Sequence, residues 1–285
     1  MSRVVDVPFV KGHGTRNDFV ILPDLDARLD LTPERVRWLC DRRSGIGADG
    51  VLRVVRTVKD PEFAQYADVA DYFMDYRNAD GSLAEMCGNG ARVFVRYLHA
   101  TGALSSRSTV IATRGGLVEA QVQGAEAEEI CIGMGSVHGE ASAPLPVSVR
   151  LGERTWDAQP VHIPNPHAVA FVESLQEVGD LSTAPVVTPG EVFPDGVNVE
   201  FVEQLSPGHV RMRVHERGVG ETMSCGTGAC AVAWVAALMN PTIDSFQVDV
   251  PGGCVWVDIA ADGQLWLRGP AELVARGTLQ WPRGI

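Results

Sequence analysis

The stretch Met86–Ala91 reads MCGNGA, and the stretch Ser224–Ala229 reads SCGTGA. Their cysteines, Cys87 and Cys225, lie close to half the chain length apart. Internal similarity at one long spacing indicates duplication of a whole domain, because a tandem array of small repeats would have a much shorter period. The sequence therefore predicts two similar domains, each with one Cys-Gly-x-Gly motif.

The residues around the two motifs extend the repeat. Strand-like runs precede them, Asp71–Tyr76 and Val210–His215, and the second run alternates cleanly between apolar and polar residues. A polar residue follows each run, Asn78 in the first half and Glu216 in the second, nine positions before the cysteine. The apolar, helix-like stretches after the motifs are Val93–Leu98 and Cys230–Met239. The repeated unit is thus a strand, a polar residue, a loop, the motif and a helix.

The rest of the chain is rich in predicted strands. One further helix begins where Thr32 can act as N-cap, Pro33 occupies the first helical position and Glu34 lies in the first turn. Many strands around few helices predict an α+β fold, with a domain boundary in Gly133–Pro146. The predicted strands are Phe19–Leu22, Val51–Val55, Thr109–Ala112, Leu117–Val122, Ile130–Ile132, Val147–Val149, Ala168–Val172, Val197–Val202, Phe246–Val250, Val255–Ile259 and Leu265–Leu267.

Composition and charge exclude some classes of partner. The chain has 285 residues, a formal charge of −12 and a sequence pI near 5.0. This charge opposes binding to nucleic acids and anionic membranes, which attract positive surfaces. The longest apolar run, Ala229–Met239, is too short to span a bilayer, and the N-terminal residues do not resemble a signal peptide. We expect a cytoplasmic protein that binds neither nucleic acid nor membrane.

The six cysteines do not form a disulfide or zinc pattern, because they are widely spaced and no CxxC pair occurs. For most of them we expect packing as small buried hydrophobic residues. Cys87 and Cys225 differ in their context. The cysteines for which we expect packing are Cys40, Cys131, Cys230 and Cys254.

A cysteine at the start of a helix has a distinctive electrostatic setting. Unpaired N–H groups and aligned peptide dipoles place about half a positive charge there, which favours a thiolate. The adjacent glycines allow a tight turn and let backbone N–H groups face an anion such as a carboxylate. A single site of this kind is compatible with a reactive thiol or with a simple anion pocket.

Two such sites suggest inversion at an α-carbon. One base must remove the hydrogen from one face, and an acid must return a hydrogen to the other face. Each thiol can serve as base in one direction and as acid in the other. The carbanion between the two steps spreads its charge onto the carboxylate, where N–H donors from both helices can stabilise it. The pattern predicts an amino-acid epimerase that uses Cys87 and Cys225 and no cofactor or metal.

Six sequence blocks, in order along the chain, resemble the diaminopimelate epimerase family. The resemblance implies interconversion of LL- and meso-diaminopimelate without pyridoxal phosphate or metal, as a step in lysine and peptidoglycan precursor synthesis. It also implies a homodimer. The blocks are Lys11–Phe19, Gly45–Gly50, Asn78–Arg92, Asn165–His167, Val197–Glu200 and Glu216–Cys230.

The resemblance also implies roles for individual residues. Cys87 and Cys225 become the acid–base pair, and backbone amides of the motifs hold the carboxylate at the reacting centre. Asparagine can donate and accept hydrogen bonds, a glutamate can hold an ammonium group, and an arginine can clamp a carboxylate. The implied substrate contacts are Asn17, Asn78, Asn165, Asn198, Glu216 and Arg217, together with the backbone of Gly88, Asn89, Gly226 and Thr227.

The implied fold has two pseudo-symmetric domains, each a barrel-like sheet around a central helix. The first half comprises residues 1–133 with 272–285 and carries Cys87, and the second comprises 134–271 and carries Cys225. The last strand, Leu273–Gln280, returns to the first domain.

Some questions stay open in the sequence. His167 can orient a substrate amine or a thiol, or it can be structural. Arg16 precedes Asn17 where the family more often has glycine, which bears on the role of Asn17. The alternatives to diaminopimelate epimerisation are a proline or hydroxyproline racemase, which tends to have histidine at the position of Asn89, and a non-enzymatic thiol redox sensor.

Overall fold

The computed structural model describes residues 6–124, 129–137 and 147–282. The chain divides into two compact units, one formed by Met1–Ile132 with Pro270–Ile285 and the other by Gly133–Gly269. Most of the segment in which we predict a domain boundary, residues 138–146, lies outside the described residues. That each unit is one half of an epimerase stays a prediction.

The described residues form eighteen strands, three α-helices and four short 3₁₀ turns. In chain order they are β1 (Asp6–Gly14), β2 (Asn17–Pro23), α1 (Pro33–Cys40), β3 (Gly50–Arg56), β4 (Tyr72–Asn78), α2 (Gly88–Ala100), β5 (Ser108–Thr113), β6 (Gly116–Gln123), β7 (Glu129–Ser136), β8 (Val147–Leu151), β9 (Arg154–Ile163), β10 (Asn165–Val172), β11 (Val186–Thr188), β12 (Asn198–Ser206), β13 (His209–Glu216), β14 (Gly220–Thr222), α3 (Gly226–Met239), β15 (Ser245–Val250), β16 (Gly253–Ile259), β17 (Gln264–Pro270) and β18 (Glu272–Gln280).

The two units have the same order of strand pairing. In the first unit β1 and β2 are antiparallel, β2 and β3 parallel, β3 and β4 antiparallel, and β4 and β5 parallel, followed by antiparallel β5, β6 and β7. In the second unit the same sequence of pairings runs through β9, β10, β12, β13, β15, β16 and β17. The outer strand that pairs with β1 is β18, and the one that pairs with β9 is β8.

One long helix lies at the centre of each unit. Helix α2 packs against β1, β2, β3, β4, β6 and β18, and α3 packs against β9, β10, β12, β13, β15 and β16. Contact with strands on many sides explains why α3 is apolar around most of its circumference and mostly buried as far as Ala236. Among the described residues, none of the helices combines the length and the apolar character that crossing a bilayer requires.

The predicted elements are confirmed, including α1 with Thr32 as its N-cap and the returning strand β18. Four strands escaped the sequence analysis: β1, β9, β11 and β14. Strand β1 contains Pro8, Gly12 and Gly14, which resemble a loop, and β11 and β14 have three residues each. Their pairing with neighbouring strands decides their conformation, because local propensity in strands is weak.

The cysteines outside the two motifs lie as expected, with one exception. Cys40, Cys131 and Cys230 are buried in the packed interior. Burial raises the pKa of the Cys40 thiol to about 12, so this thiol stays protonated and unreactive. Cys254, in contrast, is half-buried, because it lies at the start of the antiparallel strand β16.

Candidate active site

The first motif begins helix α2. Cys87 is the N-cap residue, with an extended backbone (φ −140°, ψ 119°), and its Sγ accepts a hydrogen bond from the Gly90 N–H at 3.4 Å. The thiol is half-buried and lies at the positive end of the helix dipole, as the sequence predicts. The backbone of Gly88 and Asn89 forms the first turn of the helix, where N–H groups have no partner within the helix.

Asn17 lies beside this thiol. Its Oδ1 accepts hydrogen bonds from Cys87 Sγ at 3.7 Å and from Asn89 Nδ2 at 3.2 Å. Its Nδ2 donates to the Asp49 carboxylate at 2.9 Å. Because a carboxylate can only accept, Asp49 fixes the orientation of the amide and turns its oxygen toward the thiol.

Asp49 belongs to the Gly45–Gly50 block, to which the sequence analysis gave no role. Its carboxylate also accepts from the Asp18 N–H and from Arg42. Burial would raise the pKa of Asp18, but hydrogen bonds from Arg42 and Lys11 outweigh it and hold that pKa far below its ordinary value. The network keeps the Asp18 carboxylate ionised beside Asn17.

Thr15 and Arg16, the two residues before Asn17, show how the chain accommodates a side chain where the family more often has glycine. Thr15 and Arg16 have φ values of 49° and 63°, and they connect β1 to β2 as a two-residue hairpin loop. This loop needs positive φ at both positions, which glycine adopts most readily. Thr15 is buried and accepts a hydrogen bond from the fully buried Arg92 at 3.1 Å, which helps hold the turn. Asn17 therefore keeps its place although a side chain replaces glycine.

Replacing Arg16 by glycine is expected to stabilise the protein by about 0.5–1 kcal/mol. The substitution removes the steric cost of a left-handed residue, and the greater freedom of the unfolded chain offsets part of the gain. Thermal unfolding monitored by circular dichroism measures the effect, with Arg16→Ala as control, since alanine keeps the Cβ and should leave the midpoint nearly unchanged. A lower midpoint for Arg16→Gly than for Arg16→Ala would contradict the account.

Asn78 lies in the same unit, at the end of β4. It pairs with Gly50 of β3 in the sheet, and its Nδ2 donates to Ser82 Oγ at 3.0 Å within a tight turn. The structure thus brings Asn17, Asn89 and Cys87 into direct contact, whereas the hydrogen bond described for the Asn78 side chain is to its own turn.

The second motif repeats the geometry of the first. Cys225 is the N-cap of α3, with φ −119° and ψ 117°, and its Sγ accepts from the Gly228 N–H at 3.4 Å. The Thr227 hydroxyl lies 3.5 Å from the same sulfur. Unlike Cys87, Cys225 is buried, with 6% of its surface exposed.

The environment of Cys225 holds it as a neutral thiol. Burial raises the pKa of this thiol well above its ordinary value of 9.0, and the charges of Glu216 and Glu200 raise it further. Hydrogen bonds from Thr227 and from the Gly228 N–H act in the opposite direction but are smaller. The helix start does favour the thiolate, through the Gly228 N–H, but burial and neighbouring negative charge outweigh this contribution at Cys225.

The polar residues that precede the second motif form a connected group. Glu216 accepts a hydrogen bond from the Thr222 hydroxyl at 2.5 Å, and burial raises the pKa of its carboxyl group. The Arg217 N–H donates to Asn198 Oδ1 at 2.9 Å, and its guanidinium donates to the Asp195 carbonyl at 2.9 Å. Arg217 is exposed, so its remaining donors can reach an incoming carboxylate.

His167 is fully buried and joined to two polar side chains. Its Nδ1 lies 2.7 Å from Glu200 Oε1, and its Nε2 lies 2.9 Å from Asn165 Oδ1. The sequence analysis named His167 and Asn165 but missed Glu200. The available signal was a charged residue between the apolar residues Val199 and Phe201 of a predicted strand.

Comparison with known proteins identifies the family. The family model described as Diaminopimelate epimerase matches residues 9–139 and 161–274. The chain belongs to the diaminopimelate epimerase family. A diaminopimelate epimerase from Streptomyces coelicolor is 49% identical, with 98% of each chain covered. The one from Corynebacterium glutamicum is 45% identical over 96% of this chain and 98% of that protein.

Solved structures support the fold. A PhzC/PhzF protein from Clostridium difficile matches with a TM-score of 0.68 at 12% identity, covering 96% of this chain and all of that one (100%). A hydroxyproline epimerase from Agrobacterium vitis matches with a TM-score of 0.62 at 15% identity, covering 96% and 92%. At such identities the likeness concerns the fold alone, and it confirms the α+β class. Membership in the family makes the chain an isomerase.

Proposed function

We propose that the protein interconverts LL- and meso-diaminopimelate by inverting one α-carbon. The observation that carries this proposal is the duplicated helix start, with a cysteine as N-cap and backbone N–H groups beside it in each unit. The relatives at 45–49% identity carry the name of this activity. Two thiols on equivalent elements match a reaction that treats the two faces of one carbon alike.

In this mechanism Cys87 and Cys225 exchange the roles of base and acid. One cysteine, as thiolate, takes the α-proton, and the electron pair of the C–H bond stays on carbon and spreads onto the carboxylate. The other cysteine, as thiol, then delivers its proton to the opposite face. Backbone N–H groups of Gly88–Asn89 and Gly226–Thr227 bind that carboxylate and stabilise its growing charge, which is the largest catalytic contribution expected here.

The remaining polar residues bind the end of the substrate that does not react. Arg217 has the donors to clamp its carboxylate, and Glu216 can hold its ammonium group. An ammonium beside Glu216 offsets the negative charge that raises the pKa of Cys225, so substrate binding favours the thiolate. The asparagines of the site, Asn17, Asn78, Asn165 and Asn198, complete the polar contacts.

Further features belong to the same proposal. The two epimerase halves comprise residues 1–133 with 272–285 and residues 134–271, and the protein forms a homodimer, which light scattering in solution tests. The reaction needs neither pyridoxal phosphate nor a metal, so activity should survive dialysis against a chelator. Two reduced thiols suit the cytoplasm, where lysine and peptidoglycan precursors are made.

Deuterium incorporation tests the function directly. Reduced protein in D₂O should place deuterium at the α-carbon of LL-diaminopimelate and form meso-diaminopimelate, as followed by mass spectrometry and NMR. Incorporation into proline or hydroxyproline instead would select a racemase for cyclic substrates. Absence of incorporation, combined with reversible formation of a Cys87–Cys225 disulfide, would favour a redox sensor.

Replacing Glu216 by glutamine is expected to raise the KM for LL-diaminopimelate about 10- to 100-fold. The neutral amide loses the charge that pairs with the substrate ammonium, a contact worth about 1.5–3 kcal/mol. The melting temperature should change little, because the amide can still accept from Thr222. Glu221→Gln, which changes a carboxylate paired with Arg213, is the control. Unchanged KM and kcat would remove Glu216 from the site.

A further inference from the structure

The equivalent pairing of the two units allows a position-by-position comparison. Across the parallel strands β2 and β3, Phe19 pairs with Gly50. Across the parallel strands β10 and β12, His167 pairs with Asn198. His167 of the second unit therefore occupies the place that Phe19 occupies in the first.

The same comparison gives Glu200 a counterpart. Two residues along β12 from Asn198 lies Glu200, and two residues along β3 from Gly50 lies Leu52. In the first unit the place of the His167–Glu200 pair is thus taken by an apolar pair, Phe19 and Leu52. All four side chains are fully buried.

Both pairs contribute a contact to the fourth residue, the second glycine, of a Cys-Gly-x-Gly motif. A Cβ placed on Gly90 would lie 3.3 Å from Leu52 Cδ2 and 3.4 Å from Phe19 Cζ. A Cβ placed on Gly228 would lie 2.7 Å from Glu200 Oε1 and 3.3 Å from Cys225 Sγ. Glycine at 228 therefore lets the carboxylate approach the start of α3 and the reactive thiol.

The fold does not require a polar pair at this place. The first unit builds the same strands and helix over phenylalanine and leucine. Replacing a buried ion pair by apolar residues of similar volume is often neutral or stabilising. Moreover, Glu200 Oε2 is buried and finds no hydrogen-bond donor among the described residues, which is unfavourable for stability. Stability alone does not explain the pair, and its position beside Cys225 points to function.

The hydrogen bonds of His167 define what the pair does. Asn165 turns its Oδ1, which can only accept, toward Nε2 at 2.9 Å, so in this arrangement Nε2 carries a hydrogen and donates it. Nδ1 and Glu200 Oε1, 2.7 Å apart, then share a second proton, either as an imidazolium beside a carboxylate or as a neutral ring that accepts from a carboxyl group. The Asn165 amide is held with its oxygen toward the ring, which leaves its Nδ2 donors for another partner.

The two units thus hold equivalent asparagines with opposite ends of the side-chain amide left for other partners. In the first unit Asp49 binds Nδ2 of Asn17 and leaves Oδ1 toward the thiol. In the second unit the His167 ring binds Oδ1 of Asn165 and leaves Nδ2. One asparagine offers an acceptor, which suits an ammonium group, and the other offers donors, which suit a carboxylate.

We propose that Glu200 is a positioning residue for the reaction: through His167 it holds Asn165 as a hydrogen-bond donor to the substrate. This inference rests on the proposed function, since it assigns Asn165 to a carboxylate of diaminopimelate. Glu200 does not touch the substrate. Its hydrogen bond to Nδ1 fixes the orientation of the His167 ring, and the ring in turn prevents the Asn165 amide from rotating.

The test replaces the His167–Glu200 pair by the apolar residue types that the first unit has at the equivalent positions, phenylalanine and leucine. We expect His167→Phe/Glu200→Leu to fold with a melting temperature within a few degrees of the unmodified protein. Its KM for LL-diaminopimelate should rise about 10- to 100-fold, with a smaller change in kcat, because a binding contact is lost. Glu203→Leu, on the same strand, is the control and should keep both constants within about twofold. A folded double variant with unchanged KM would overturn the proposal.

Two further measurements do not depend on that variant. In the ¹⁵N spectrum of histidine-labelled protein at neutral pH, Nε2 of His167 should carry a hydrogen and Nδ1 should share a proton with Glu200, and Glu200→Leu should abolish the signature of the shared proton. Gly228→Ala should displace the carboxylate and reproduce the rise in KM. An unprotonated Nε2 in the unmodified protein would contradict the proposal. A wild-type protein that incorporates no deuterium into diaminopimelate would refute the proposed function instead, while the spectrum still reports on the ring.

Discussion

Replacing Cys87 or Cys225 by alanine is expected to lower the rate of epimerisation about 10⁴-fold or more. Inversion needs an acid and a base in each direction, so either variant lacks one obligatory proton transfer, and groups that act as a unit lose nearly all activity when one is removed. The fold should persist, because alanine keeps the Cβ and removes a single sulfur. Steady-state conversion of LL- to meso-diaminopimelate measures the loss.

Cys230→Ala provides the matched control for this prediction. Cys230 is a fully buried cysteine of the same helix as Cys225, five positions further on, and we assign it to packing. We expect Cys230→Ala to keep its activity within about twofold. Loss of activity in this variant comparable to that of Cys225→Ala would show that helix packing, rather than thiol chemistry, explains the effect.

Replacing Asp75 by asparagine is expected to lower the free energy of unfolding by about 3–5 kcal/mol. Asp75 is 2% exposed, and its carboxylate binds three arginines, with distances of 2.8 Å to Arg114, 3.1 Å to Arg77 and 3.4 Å to Arg53. Asparagine has nearly the same shape but no charge, so it removes the negative charge that compensates Arg77 and Arg114, whereas Arg53 keeps its ion pair with Asp24. Urea unfolding at neutral pH measures the loss.

The pH dependence of this stabilisation has a defined sign. Burial would raise the pKa of Asp75, but hydrogen bonds and charges of Arg77 and Arg114 outweigh it and lower the pKa below its ordinary value of 3.8. A depressed pKa in the folded state stabilises the protein above the pKa of the unfolded chain, and the contribution disappears as the pH falls through the folded value. The difference between wild type and Asp75→Asn should thus be constant near neutrality and shrink below about pH 4.

An exposed ion pair supplies the comparison. Asp26 pairs with Arg28 at 3.2 Å, with 49% and 82% of the two side chains exposed. Asp26→Asn should change the free energy of unfolding by less than about 0.5 kcal/mol, because solvent screens exposed charges. Equal effects of Asp26→Asn and Asp75→Asn would contradict the importance we assign to burial.

Much of the fold is predictable because the strands around each helix alternate or are uniformly apolar. Val210–His215 and Leu117–Val122 alternate between apolar and polar residues, and both are strands. Strand β9 escaped prediction because Pro160 and several polar residues interrupt its pattern. Its conformation depends on pairing with β8 and β10, which are partners that local sequence does not reveal.

For the site, the sequence predicts the two cysteines but not the residues that act on their surroundings through other strands. The repeat exposed Cys87 and Cys225 because helix starts are local and carry their own signature. Glu200 and Asp49 act through neighbours on other strands, so their importance follows from strand register and not from a motif. The neutral state of Cys225 was also hidden, because burial and the approach of Glu200 arise only in the folded chain.

The central claim, that two thiols act on opposite faces of one α-carbon, is tested most directly by hydrogen exchange in the single variants. In D₂O, Cys87→Ala and Cys225→Ala should each fail to convert LL- into meso-diaminopimelate. The remaining thiol can still remove and return a hydrogen on its own face. We therefore predict that one variant exchanges the α-hydrogen of LL-diaminopimelate with retention, and that the other does so with the meso isomer. Exchange of the same stereoisomer by both variants, or inversion by either at the wild-type rate, would contradict the account.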